Sequence, residues 1–220
     1  MLKQLTRWLA IGTCLAVLGC SPLAAQEVKS APPIPKLKPG EEVAVIVTSY
    51  GKVKLQLFSD VAPNHVTHFK KLIKEGFYNG LAFHRSVPNL IVQGGDPNTK
   101  DKDRSLWGMG EDSLEKIKAE FSDRPFVKGT VGMARTPDPD SASTQFFLCV
   151  APFSDWNGQY TNFGQVISGL GVVQKMTLAP TDRMELVKDK IVMTKVYLEK
   201  YQPPVKRPSK AKRKITKRTL

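Results

Sequence analysis

The chain has 220 residues, 41% of them hydrophobic and 24% charged, which suits one globular domain with a packed core plus extensions. A formal net charge of +13 suggests a nucleic-acid binder, but two cations (Lys3, Arg7) sit in the leader and eight (Lys206, Arg207, Lys210, Lys212, Arg213, Lys214, Lys217, Arg218) in the tail, which leaves the body at +3. The basicity therefore belongs to an extension, and nucleic acid is not an expected partner.

In chain order, residues 1–25 read as an export signal. Met1 to Arg7 is a short cationic start, and Trp8 to Gly19 is an apolar stretch too short to span a membrane comfortably. Two exits from this leader stay open. Val17-Leu18-Gly19-Cys20 resembles a lipobox, in which Cys20 would be acylated and become the mature N-terminus; Leu23-Ala24-Ala25 resembles a cleavage site before Gln26. The first anchors the product to a membrane and the second releases it, so the expected location is the periplasm or cell envelope. Residues 26–40 carry Pro32, Pro33, Pro35 and Pro39 and read as an extended linker.

The domain is expected over residues 41–201. Val43–Thr48 and Val53–Phe58 read as paired strands around the turn at Ser49-Tyr50-Gly51-Lys52. A helix starts at Pro63, places Val66, Phe69, Leu72 and Ile73 on one face, and closes at Gly76. His65 and His68 share that helix without an evident third metal ligand, so they are expected on its solvated face.

Short strands follow at Ala82–Arg85 and Leu90–Gly94, then a polar loop from Pro97 to Glu111. Further strands are expected at Val131–Ala134, Gln145–Val150, from Asn162 and over Ile191–Leu198, with a short helix at Leu170–Met176. Asp138 and Asp140 lie in a Pro-rich stretch that reads as a surface loop rather than a cation site. Cys149 is the only cysteine of the body, so no internal disulfide is available, and it reads as a buried strand residue. Residues 202–220 lack apolar periodicity and read as a disordered basic tail, a second route to an anionic membrane surface. Many short strands and two helices without a βαβ rhythm predict a mainly β protein built as an antiparallel barrel.

Five motifs in order, Phe83-His84-Arg85, Gln93-Gly94-Gly95-Asp96, Gly132-Met133-Ala134, Gln145-Phe146-Phe147 and Phe163-Gly164, resemble the cyclophilin family of peptidyl-prolyl cis-trans isomerases over about Glu42 to Lys200. The resemblance implies a closed eight-stranded antiparallel β-barrel capped by two α-helices, acting without metal or cofactor on proline-containing polypeptides and helping exported proteins to fold. A monomer is expected. By position, Arg85 matches the family's catalytic arginine and Gln93 the glutamine that helps hold it and the substrate. Leu90, Ile91, Met133, Ala134, Arg135, Gln145, Phe147, Trp156 and Tyr160 match positions of the substrate groove. Leu90, Ile91 and Arg135 stand where the family usually has Phe, Met and Asn. Trp156 replaces a Leu, Tyr160 a His, and Asp155 a Trp associated with cyclosporin contact. These rim departures leave a second reading, a non-catalytic module that docks proline-containing peptides.

The residue types suit bond rotation. The C–N bond before proline resists twisting by about 18–20 kcal/mol. At the twisted midpoint conjugation is lost and the nitrogen becomes basic, so a donor aimed at it binds that state better than either planar one. An arginine remains cationic and presents a rigid fork of donors. One charge-assisted hydrogen bond contributes about 1.5–3 kcal/mol, whereas a millionfold acceleration needs about 8 kcal/mol. An apolar pocket that fixes the ring and excludes water must supply the remainder.

Overall fold

Eight strands close on themselves in the computed structural model, which describes residues 34–101 and 103–203. In chain order the elements are β1 (Glu42–Thr48), β2 (Gly51–Leu57), α1 (Pro63–Lys74), β3 (Ala82–Val87), β4 (Ile91–Gly94), β5 (Thr130–Met133), β6 (Phe146–Cys149), β7 (Asn162–Ser168), α2 (Leu170–Met176) and β8 (Leu186–Lys200). The ring runs β1-β2-β7-β5-β6-β4-β3-β8, with every pairing antiparallel. This is the eight-stranded barrel with two helices expected from the sequence. Closure leaves no free sheet edge.

Period-two alternation decides which side chains fill the barrel. Ile46, Leu55, Phe83, Phe146, Leu148 and Phe163 are fully buried in its interior. Helix α1 begins with a proline at its first position. It sets Phe69 against Phe146 and Phe163 with ring centroids 5.3 Å apart in both pairs, in edge-on geometries. Helix α2 buries Val173 and Met176.

One irregularity in β3 positions the site. Strict alternation would send Arg85 to the same side as Phe83, into the barrel. The register shifts between Phe83 and Arg85 in the pairings of β3 with both β4 and β8. This bulge turns Arg85 outward while Phe83 stays in the core, and His84 is buried between them.

Two sequence expectations change. His65 and His68 are buried rather than solvated. The segment from Glu115 to Glu120 covers that side of α1: His65 Nδ1 lies 2.6 Å from a Glu120 carboxylate oxygen, and His68 Nδ1 lies 3.5 Å from Glu115. These partners lie some fifty residues downstream, so the helix alone gives no sign of them. Burial lowers the pKa of both histidines, against the opposing pull of Glu120 and Glu115 respectively. Strand β8 begins at Leu186, five residues before the apolar run at Ile191. Its first half pairs with β3 through the backbone, although Lys188, Asp189 and Lys190 are exposed and carry no apolar pattern.

The domain's two ends are tied together, since Gly40 N–H donates to Tyr201 O and Tyr201 N–H to Glu41 O. Gln56 Nε2 donates to Pro35 O at 2.9 Å, fastening the end of the Pro-rich segment to β2. The leader with Cys20, the linker as far as Pro33 and the tail from residue 204 lie outside the described residues.

Candidate active site

Antiparallel register gathers residues far apart in sequence into one row on the outer wall of the barrel. Arg85 of β3 pairs with Gln93 of β4, Gln93 with Phe147 of β6, and Phe147 with Gly132 of β5. Neighbouring strands are about 4.8 Å apart, and the row crosses four adjacent strands of the wall. Alternation on β4 and β6 puts Ile91, Gln93, Gln145 and Phe147 on the same outer face, while Val92, Phe146 and Leu148 belong to the barrel core.

The polar half of the row is a connected relay. Arg85 Nη1 donates to Gln93 Oε1 at 3.4 Å, Gln93 Nε2 donates to Gln145 Oε1 at 3.0 Å, and Gln145 Nε2 donates to Gly108 O at 3.1 Å. On its other edge Arg85 Nε donates to Glu185 Oε2 at 2.8 Å, and Nη2 lies 2.6 Å from the same oxygen. The segment that supplies Gly108 is held by Asp96, a fully buried carboxylate. It accepts from Asn98 N–H at 3.0 Å through Oδ1, and from the Gly108 and Gly110 N–H groups at 2.5 and 3.3 Å through Oδ2. Beside this relay, residues including Gln93, Met109, Ala134 and Gln145 line a cleft of about 120 Å³.

The apolar half is a small aromatic cluster separate from the barrel core. Ile91, Phe126, Phe147 and Cys149 form its buried part, with Val87, Ala134, Phe153, Trp156 and Tyr160 packed around them. Phe126 stacks on Phe147 at 6.0 Å, and Trp156 and Tyr160 meet Phe147 edge-on at 5.2 and 5.8 Å. Burial pushes the Cys149 thiol up, which makes it an inert packing group.

Gly132 sets the depth of the floor. A Cβ built there would overlap Phe147 Cζ and lie 2.5 Å from Phe147 Cε2 and 2.8 Å from Phe126 Cε1, far inside van der Waals contact. Only a glycine lets the cross-strand phenylalanine lie flat on the sheet. Gly132→Ala should therefore lift Phe147. It should lower stability by about 2 kcal/mol through overpacking, measured by denaturant unfolding, and shift the emission of Trp156, which rests on the displaced ring.

Not every sequence-designated residue reaches the groove. Arg85, Gln93, Ile91, Ala134, Gln145, Phe147, Trp156 and Tyr160 come together as described. Met133 does not: the alternation that puts Gly132 outside turns Met133 into the barrel, where it is buried in the core. Leu90 stands exposed on the β3–β4 turn, outside the aromatic cluster. Arg135 acts on the rim. Its Nε and Nη2 donate to Gln159 O at 3.0 and 2.8 Å and its guanidinium lies 4.6 Å from the Tyr160 ring, bracing the loop that carries Tyr160. His84 is buried behind the row and burial lowers its pKa to about 4.

Sequence reasoning missed Phe126, Gly132 and Glu185 as site residues. Phe126 lies outside any strand or helix, between Pro125 and Val127, with no periodicity to mark it, and Glu185 lies in a loop a hundred residues from its partner. Gly132 could have been found, because a glycine directly across from an aromatic is a recognised strand pairing.

Residues 43–198 match the family model described as cyclophilin type peptidyl-prolyl cis-trans isomerase/CLD. The chain is 43% identical over 140 residues to a probable peptidyl-prolyl cis-trans isomerase of Brucella suis biovar 1, which covers 62% of this chain and 71% of the relative. It is 38% identical over 136 residues to a peptidyl-prolyl cis-trans isomerase of Schizosaccharomyces pombe, covering 61% of this chain and 84% of that one. Among solved structures, a Cryptosporidium parvum cyclophilin-type isomerase superposes with a TM-score of 0.66 at 25% identity, covering 73% of this chain and 99% of that one. A structure of the same parasite protein in the presence of the dipeptide Ala-Pro gives 0.65 at 26% identity, covering 72% and 99%.

Proposed function

The chain belongs to the cyclophilin-type peptidyl-prolyl cis-trans isomerase family, and we propose that it works as an exported monomer on proline-containing polypeptides of the cell envelope. Its activity is rotation about the peptide bond before proline. The observation that carries the mechanism is the row Arg85–Gln93–Phe147 across three adjacent strands.

A proline ring seated against Phe147 and Ile91 brings its nitrogen toward the guanidinium of Arg85. Of the five guanidinium hydrogens, one on Nε and one on Nη2 face Glu185, and one on Nη1 faces Gln93. The two that remain belong to the terminal nitrogens and are free for substrate. Donation to the proline nitrogen withdraws its lone pair from the amide, which weakens the partial double bond where rotation is hindered. Gln93 and Gln145 present amides suited to the peptide backbone on either side. The aromatic wall excludes water, and this raises the value of the single charged donor. No bond forms or breaks, and no proton must move.

The altered rim residues Asp155, Trp156 and Tyr160 lie around this row and do not replace any part of it, so binding without turnover is the weaker reading. Purified protein should accelerate cis-to-trans relaxation of an X-Pro test peptide. Relaxation at the spontaneous rate would overturn catalysis in favour of simple binding.

Support for export comes from the cationic and apolar leader followed by Cys20 and by Ala24-Ala25. Mass spectrometry of the mature protein should find an N-terminus at an acylated Cys20 or at Gln26. An intact Met1 on protein recovered from the cytosol would overturn export.

A further inference from the structure

Glu185 occupies a position that stability alone does not account for. Its backbone sits at φ 63°, in the left-handed region that side chains other than glycine rarely adopt. The segment around it is over-determined. Asp182 Oδ1 accepts from Met184 and Leu186 N–H at 2.9 and 3.0 Å, and its Oδ2 accepts from Arg104 Nη2 at 3.0 Å. Glu185 N–H donates to Asp182 O at 3.2 Å, and Ser86 N–H donates to Glu185 O at 2.9 Å. All of this holds one carboxylate against the edge of Arg85.

The ion pair formed there is open to water, with side-chain exposures of 38% for Arg85 and 41% for Glu185. A pair this exposed adds little to stability, and the unfavourable backbone works against it. What the contact does supply is orientation. A single oxygen takes both Nε–H and an Nη2–H, while Gln93 takes Nη1, so the planar fork is gripped on two edges and cannot swing. An arginine without that grip would sample several rotamers in the open groove and meet the proline nitrogen only part of the time.

We propose that Glu185 is the positioning residue of this enzyme, the group that keeps the Arg85 guanidinium aimed across the groove toward Phe147. This rests on Arg85 being the catalytic donor. The test uses the full chain and four variants, Glu185→Gly, Glu185→Gln, Arg85→Ala and the double variant Arg85→Ala/Glu185→Gly, with kcat, KM and thermal midpoint measured for each. Glycine is at ease at this φ, so Glu185→Gly removes the carboxylate without burdening the backbone. It should lower kcat about tenfold with KM within about twofold, while the midpoint holds or rises. Glu185→Gln keeps an oxygen that can accept from Nε–H and should recover most of the lost kcat. In the Arg85→Ala background, Glu185→Gly should have no further effect.

A kcat of Glu185→Gly within about twofold of the wild type would overturn the proposal. So would a rate loss accompanied by a fall in midpoint, or one that persists when Arg85 is absent. An Arg85→Ala variant with wild-type turnover would overturn the underlying reading instead, and is distinguished from the other failures by that single measurement.

Discussion

Replacing Arg85 with alanine is expected to lower kcat/KM for an X-Pro peptide about a hundredfold to a thousandfold while leaving the fold intact. Truncating one preorganised donor at a reaction centre costs about that much elsewhere, and a charged hydrogen bond alone accounts for about the lower end of the range. The loss should fall mainly on kcat, because Phe147, Ile91 and the two glutamines would still hold the peptide. Stability should change little: Arg85 is half-exposed on the outer wall, and the barrel beneath is closed by Phe83 and Phe146. Arg85→Lys should be nearly as slow, since an ammonium keeps the charge but cannot engage Glu185 and Gln93 along two edges at once. Relaxation kinetics with circular dichroism on the same samples separate a catalytic loss from a folding loss. A variant turning over within about threefold of the wild type would remove Arg85 from the mechanism.

The second large effect is acid lability centred on His84. Burial lowers its folded-state pKa to about 4, against the usual 6.5, with Asp96 pulling the other way and Arg85 adding to the depression. The unfolded chain thus binds a proton in a pH window where the folded one does not. Stability is fully present above about pH 6.5 and is lost as pH falls toward 4, below which this group adds nothing more. A depression from 6.5 to about 4 corresponds to about 3 kcal/mol. His65 and His68, also lowered by burial, slope the same way. Denaturant titrations at pH 7.5 and 4.5 should show the difference, and His84→Gln should flatten much of it. A flat profile in the wild type would mean that His84 takes up its proton in the folded barrel as readily as in the unfolded chain.

Much of this architecture could be read from the chain, and the unread parts share a cause. Strands, both helices and the pairing of arginine, glutamine and phenylalanine leave local signals: alternation, a proline at a helix start, short motifs in order. The bulge at His84 leaves none, because it is enforced by β4 and β8 together. His65 and His68 read as solvated on the helix alone because the segment that buries them, Glu115 to Glu120, comes much later in sequence. Met133 is a different kind of miss. Alternation along Val131-Gly132-Met133 already implies that only the glycine faces out, and similarity to the family outweighed that simple geometric rule. Glu185 escaped because a loop residue has no period, and its role depends on a partner a hundred positions away.

The relay and its aromatic floor lie on the outer flank of a closed barrel rather than in its interior. A client therefore needs no free end to thread and no wholesale unravelling. A proline displayed on a bend of a half-finished chain can be laid sideways across the flank, turned, and lifted away. Such an enzyme can serve polypeptides at almost any stage between emergence and maturity, limited by whether the bend is accessible rather than by the length of chain around it.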